Sequence, residues 1–213
     1  MIGSSVDEVG LFSLPTNDEV FGIDATISNI DRRLEYILSE ATLDALPERW
    51  RNADFNHGIE GWEIAENFAK NFPNNGRGVF FIGGVGRGKT HLSGAIAKYV
   101  IENYHVPVIF RSYSEMLAKI KQNFEGDGRE VDRLCDTPLL IIDDLGQEKW
   151  TEWNHEVLFR IVNSRYESNS PIVVTSNMSV MELKDNVGEA VFSRLYEMTD
   201  KVKMNGKDHR TGH

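Results

Sequence analysis

Residues 80–92 read FFIGGVGRGKTHL. An apolar run, a glycine-rich turn and a helical pattern follow one another. Gly83, Gly84, Val85, Gly86, Arg87, Gly88, Lys89 and Thr90 fill every position of G-x-x-x-x-G-K-[ST], the Walker A pattern. Glycines let successive backbone N–H groups turn inward around phosphate oxygens. The helix that follows points its positive end at the same charge. Lys89 is placed to reach β- and γ-phosphates, and the Thr90 hydroxyl to ligate Mg²⁺. A chance glycine-rich turn is the alternative. It is disfavoured because a strand pattern precedes the loop and a helix pattern follows it; His91, that helix's third residue, joins residues 83–90 as a candidate nucleotide-binding residue.

Outward from this loop the pattern is regular. GVFFI is a short buried strand, and KTHLSGAIAKYVIENY is a helix. PVIFRS, PLLIIDD and PIVVTSN read as further strands, with YSEMLAKIKQNF and TEWNHEVLFRIVNSRYES as helices between them. Two short helical stretches and a weak last strand, DKVKM, complete the series. The fold class is therefore α/β, a parallel five-stranded P-loop sheet sandwiched by helices. Right-handed crossovers put the strand C-terminal ends on one edge, where ligands bind in such sheets.

Upstream, GWEIAENFAKNF reads as a helix ended by PNNG, and LPERWRNADF as a linker. SNIDRRLEYILSEATLDAL carries Ile30, Leu34, Ile37, Leu38 and Ala41 at helical spacing, and Ser28 with Asp31 resembles a capping box. This is either a helix packed on its own domain or a docking helix for a partner. Residues 1–25 lack regular pattern and are expected to be flexible. The expected division is a helical extension over 1–46 and a nucleotide-binding domain over 47–213.

Three further motifs fall at the same sheet edge. In LLIIDDL, Asp143 at a strand end is a candidate Mg²⁺ ligand, and Asp144 a candidate for orienting or deprotonating the attacking water. Paired acids at a strand end can also be merely solvated. In IVVTSN, Asn177 is placed to contact the γ-phosphate or the water, although an Asn there is often just a turn residue. In VFSRLYEM, Arg194 lies on a helix. It is either a surface charge paired with Glu189 or Glu197, or a finger projecting into a neighbouring subunit's site.

Composition narrows the class. The net charge of −10 argues against a general duplex-binding surface but leaves room for a local single-strand groove. One cysteine, Cys135, excludes an internal disulfide. No apolar run approaches the length of a bilayer span, and the N-terminus has no secretory pattern, so a cytoplasmic location is expected.

In order and spacing, GVGRGKTHLSGAIA, LLIIDDLGQEKWTEW, IVVTSN and FSRLYEM followed by MNGKDHR resemble the AAA+ ATPase domain of replicative helicase loaders of the DnaC/DnaI type, in the IstB-like ATP-binding group. The resemblance implies an ATPase switch using ATP/ADP and Mg²⁺. It implies a DnaB-type replicative helicase and single-stranded DNA as partners, and self-association through Arg194. Asp143 and Asp144 become the Walker B pair, with Asp in place of the usual Glu, so slow hydrolysis is expected. Asn177 becomes sensor 1, Arg194 the arginine finger and Arg210 a candidate sensor 2. Lys121, Phe124, Thr151 and Trp153 match positions that approach the single strand. Aromatic stacking and a phosphate-facing Lys suit that role, although Phe124 and Trp153 are equally candidates for core packing. The short stretch after Asn177 implies a reduced lid.

Other readings stay open. They are an IstB-type transposition ATPase acting on duplex DNA, an ATP-held adaptor without turnover, and a small-molecule P-loop kinase. The kinase would need a lid of arginines that the sequence does not show between its strands.

Overall fold

The computed structural model describes Thr42 and residues 45–122 and 129–209, all within the compact unit Ile37–His213. The expected 28–45 helix, apart from Thr42 and Ala45, lies outside the described residues, as do Phe124 and Arg210.

Five strands form one parallel sheet: β1 (Gly78–Gly83), β2 (Val108–Ser112), β3 (Leu139–Asp143), β4 (Ile172–Ser176) and β5 (Thr199–Met204). Their spatial order is β2-β3-β4-β1-β5. Seven α-helices accompany them among the described residues: α1 (Trp62–Lys70), α2 (Lys89–Tyr104), α3 (Tyr113–Gln122), α4 (Arg129–Asp136), α5 (Glu152–Glu167), α6 (Val180–Val187) and α7 (Glu189–Met198). None is long and apolar enough to cross a membrane.

The strands are apolar on both faces because both faces are covered. Side chains alternate along each strand. Val79 and Phe81 of β1 point into one core with Leu139, Ile141 and Val173, closed by α1 and α2 through Phe68, Leu92 and Ile96. Phe80 and Ile82 point the other way with Leu140, Ile142 and Val174, beneath Met116, Leu134, Leu158 and Leu195 of the helices on that face. Thr151 caps α5 by accepting the Asn154 N–H, and Ser179 with Glu182 makes a full capping box at α6.

Two elements differ from the sequence expectation. REVDRLCD forms the helix α4, where only a connection was expected; Val131, Leu134 and Cys135 supply a helical apolar face that α3 and α5 cover. LPERWRNADF is not a free linker. Leu46 and Ala53 are buried, and the Trp50 side chain sits against Gly94, where a Cβ would come within 2.9 Å of it. Gly94 therefore lets this segment lie directly on α2.

Arg165 on α5 is fully buried. Its guanidinium donates to the carbonyls of Leu134, Cys135 and Thr137 at 3.0, 3.1 and 2.9 Å, and to those of Pro171 and Pro138 at 2.6 and 3.5 Å. These include orphan carbonyls at the end of α4 and the residues entering β3 and β4. Burial lowers the Arg165 pKa to about 10, so the group stays charged at neutral pH and the carbonyls solvate it. Arg165→Ala strands those acceptors and is expected to cost more than about 3 kcal/mol in urea unfolding. A loss below about 1 kcal/mol would show that the carbonyls find water instead.

Candidate functional site

The loop after β1 turns on two glycines with positive φ, Gly86 at 78° and Gly88 at 91°. Gly88 is the residue just before α2, so the helix N-terminus opens into the loop. Lys89 is 4% exposed, and its ammonium donates to the Gly83 and Gly84 carbonyls at 2.8 and 2.7 Å and to Asn177 Oδ1. Thr90 hydrogen-bonds Asp143. The Thr175 hydroxyl donates to Asp143 Oδ1 at 2.6 Å. Asn177 Nδ2 donates to Asp144 Oδ1 at 2.8 Å. The structure thus brings Lys89, Thr90, Asp143, Asp144 and Asn177 together from three strand ends, as the sequence spacing predicts.

Asp143 is buried, and burial pushes its carboxyl pKa upward. The hydrogen bond from Thr175 opposes that shift, Asp144 adds to it, and Thr90 and Lys89 pull it back. Asp144 is half-buried and takes φ = 56°, a conformation few non-glycine residues adopt. The Thr90 hydroxyl and the Asp143 carboxylate are hard oxygen donors already in contact, which suits Mg²⁺. That ion commonly takes one or two protein oxygens and completes its shell with phosphate and water.

The cleft beside these groups has a volume of about 540 Å³. Residues 85–91, including Val85, Arg87 and His91, line one side, with Asp144 and Asn177 at its end. Arg49, Trp50, Asn56 and Ile59 also line the cleft, Ile59 lying against Gly88 and Trp50 near His91. The sequence reading missed this part of the lining. Its signal was the aromatic and aliphatic content of the segment read as a linker. His91 bonds Asp54 of the same segment, with Nε2 2.9 Å from the Asp54 carbonyl oxygen.

A family model described as IstB-like ATP binding protein matches residues 24–213. The chain belongs to this family. Membership carries nucleotide binding. Among curated relatives, phage-like element PBSX protein XkdC of Bacillus subtilis (strain 168) is 32% identical over 125 residues, 56% of this chain and 47% of that protein. Replicative helicase loader DnaC of Buchnera aphidicola subsp. Baizongia pistaciae is 29% identical over 136 residues, 62% of this chain and 55% of that protein. The chain spans about half the length of the curated relatives it matches. Among solved structures, the DnaC helicase loader superposes with a TM-score of 0.69 at 27% identity, over 75% of this chain and all of that one. A replication initiator DnaA bound to AMPPCP and single-stranded DNA superposes at 0.64 over 73% of this chain and 50% of that one. Its 21% identity speaks for the fold alone.

The other candidate residues of this IstB-like chain separate. Lys121 places its ammonium 4.7 Å from the Trp153 ring centroid, so those two are joined on the surface between α3 and α5. Trp153 is half-buried against the core while its ring meets Lys121, so core packing and an accessible ring occur together. The Thr151 hydroxyl is engaged as the α5 cap. Arg194 makes neither ion pair expected of a surface charge. Glu189 pairs with Lys184 at 2.9 Å, and Glu197 takes the Tyr166 hydroxyl. Arg194 donates instead to the Ala190 carbonyl at 2.9 Å and lies over the Phe159 and Tyr166 rings at 5.3 and 5.7 Å.

Gly88→Ala tests the loop geometry. An added Cβ would meet Ile59 at 2.6 Å in a backbone conformation unfavourable to L-residues. The expected cost is about 1–2 kcal/mol in thermal unfolding, with weaker binding in a fluorescent-ADP titration. Wild-type affinity in this variant would mean that the left-handed turn is not needed for phosphate.

Proposed function

We propose that this chain is an ATP-hydrolysing switch of the helicase-loader kind, engaging a DnaB-type replicative helicase and single-stranded DNA. The observation that carries the reading is the convergence of Lys89, Thr90, Asp143, Asp144 and Asn177 at one cleft. Lys89 exchanges the loop carbonyls for the β- and γ-phosphate oxygens. The N–H groups of 84–90 and the α2 terminus take the remaining charge. Thr90 and Asp143 would hold Mg²⁺, which would supply positive charge against the phosphates. Asp144 orients a water for attack on the γ-phosphorus, and Asn177 holds that carboxylate in place. Water adds to phosphorus as the bond to the β-phosphate oxygen breaks, giving ADP and phosphate. The shorter reach of Asp against Glu makes this step slow.

Lys121 and Trp153 form the single-strand contact, the ammonium meeting phosphate and the ring meeting a base. The cation–π pairing keeps both groups at one place on the surface. Arg194, held by aromatic rings rather than by a carboxylate, is the group through which a second copy of the chain would meet the nucleotide. Arg210 and Phe124 keep the roles expected of them from sequence, as sensor and strand contact.

A second reading, a transposition ATPase acting on duplex DNA, is favoured by one comparison. The Insertion sequence IS21 putative ATP-binding protein of Pseudomonas aeruginosa is 27% identical over 164 residues, 73% of this chain and 61% of that protein. The net charge of −10 weighs against it.

ATP turnover measured alone, with a single-stranded oligonucleotide and with duplex of equal length separates the readings. Selective stimulation by the single strand is expected, and Lys89→Ala should bind no nucleotide. Preference for duplex supports the transposition reading. No turnover in any condition, with nucleotide still bound, identifies a static adaptor.

Trp153→Ala should drive the ratio of stimulated to unstimulated turnover toward one, because a stacked base is worth about 1–3 kcal/mol. An unchanged ratio in a variant that still folds would remove Trp153 from the strand contact.

A further inference from the structure

We propose that Thr175 is a positioning residue for both carboxylates of the site, its single hydroxyl fixing where Asp143 and Asp144 stand relative to each other. The inference rests on the reading of those acids as cation-holding and water-orienting groups. It concerns a residue that neither the Walker patterns nor the sensor position includes.

The backbone of β3 pairs with β4 at Leu140 with Ile172, Ile141 with Val173 and Ile142 with Val174. One step further the pairing passes to a side chain. Asp144 adopts φ = 56°, and its N–H is met by Thr175 Oγ1 at 2.8 Å. The same oxygen lies 2.6 Å from Asp143 Oδ1. The amide can only donate and an ionised carboxylate can only accept, so the oxygen accepts from the first and gives its own proton to the second. Valine, which matches threonine in shape, can do neither. Thr175 is wholly buried, and β-branching restricts its χ1, so the hydroxyl direction is fixed.

Neighbouring bonds pin the same turn from the other side. The Thr175 carbonyl accepts the Leu145 N–H at 2.8 Å, and the Ser176 hydroxyl donates to the Leu145 carbonyl at 2.7 Å. Asp144 is thus bracketed by β4 before, at and after its own position, with Asn177 holding its carboxylate. Thr175 hydrogen-bonds both acids, through the Asp144 N–H and Asp143 Oδ1.

The test uses the full chain as wild type, Thr175→Val, Thr175→Ser and Thr175→Ala. Fluorescent-ADP affinity is measured in EDTA and against rising Mg²⁺, alongside ATP turnover. Thr175→Val is expected to bind ADP in EDTA within about twofold of wild type, yet to need about 10- to 100-fold more Mg²⁺ and to lose turnover by a similar factor. Thr175→Ser should stay within about threefold of wild type on both readouts. The Ser and Ala variants both lack the methyl group and differ only in the hydroxyl, so their contrast decides the matter if Thr175→Val does not fold. Equal Mg²⁺ requirement and turnover in Ser and Ala, or a Val variant within about threefold of wild type, overturns the proposal. If wild type itself shows no turnover, the ATPase reading fails, and the Mg²⁺ titration still decides the role of Thr175.

Discussion

Five parallel strands end at one edge, and their order along that edge decides what meets there. β1 lies between β4 and β5, and β4 lies between β1 and β3. The loop after β1 is therefore next to the end of β4, and the end of β4 is next to the end of β3. This adjacency lets the Lys89 ammonium reach Asn177 across 88 residues of chain, and Asn177 reach Asp144 across 33. A sheet with sequential strand order would part these groups by the width of intervening strands, about 5 Å for each.

Three buried charged groups show how the fold treats function and support differently. Lys89 is surrounded by the carbonyls of its own loop and by an amide, all partners it can exchange for phosphate oxygens. Asp143 is balanced by two hydroxyls, from Thr175 and Thr90, against the desolvation that raises its pKa. Arg165 sits among the residues that enter β3 and β4, and its hydrogen bonds go to backbone carbonyls. Strands β3 and β4 are thereby fixed at both ends. An arginine clamps their entry, and the Thr175–Asp143–Asp144 bonds fix their exit.

Much of this was legible in the chain. The glycine spacing around Lys89 announces the phosphate loop because the required backbone turns exclude most other residues. The short apolar runs leading to Asp143 and Asn177, alternating along the chain with helical patterns, place both at strand ends. The misses are of another kind. The α4 helix was overlooked because REVDRLCD is so polar that its narrow apolar face, Val131, Leu134 and Cys135, is easily lost in a charged context. The Leu46–Ala53 stretch read as a linker because Pro47 and charged residues dominate it, while its buried contacts depend on Gly94, far along the chain. Arg194 has helical neighbours of opposite charge, but those carboxylates are engaged by Lys184 and Tyr166.

By itself the sequence determined the strand order, every described helix but α4, the glycine-rich loop and the identity of the acids at the sheet edge. Each of these is encoded within a few consecutive residues, through side-chain period, glycine freedom and apolar runs. Tertiary structure alone decided the place of Trp50 and Ile59 at the cleft, the meeting of Lys121 with Trp153, and the bridging hydroxyl of Thr175. Those depend on distances between segments far apart in the chain. A distance of that sort is set by how the layers pack on the sheet, and no local pattern records it.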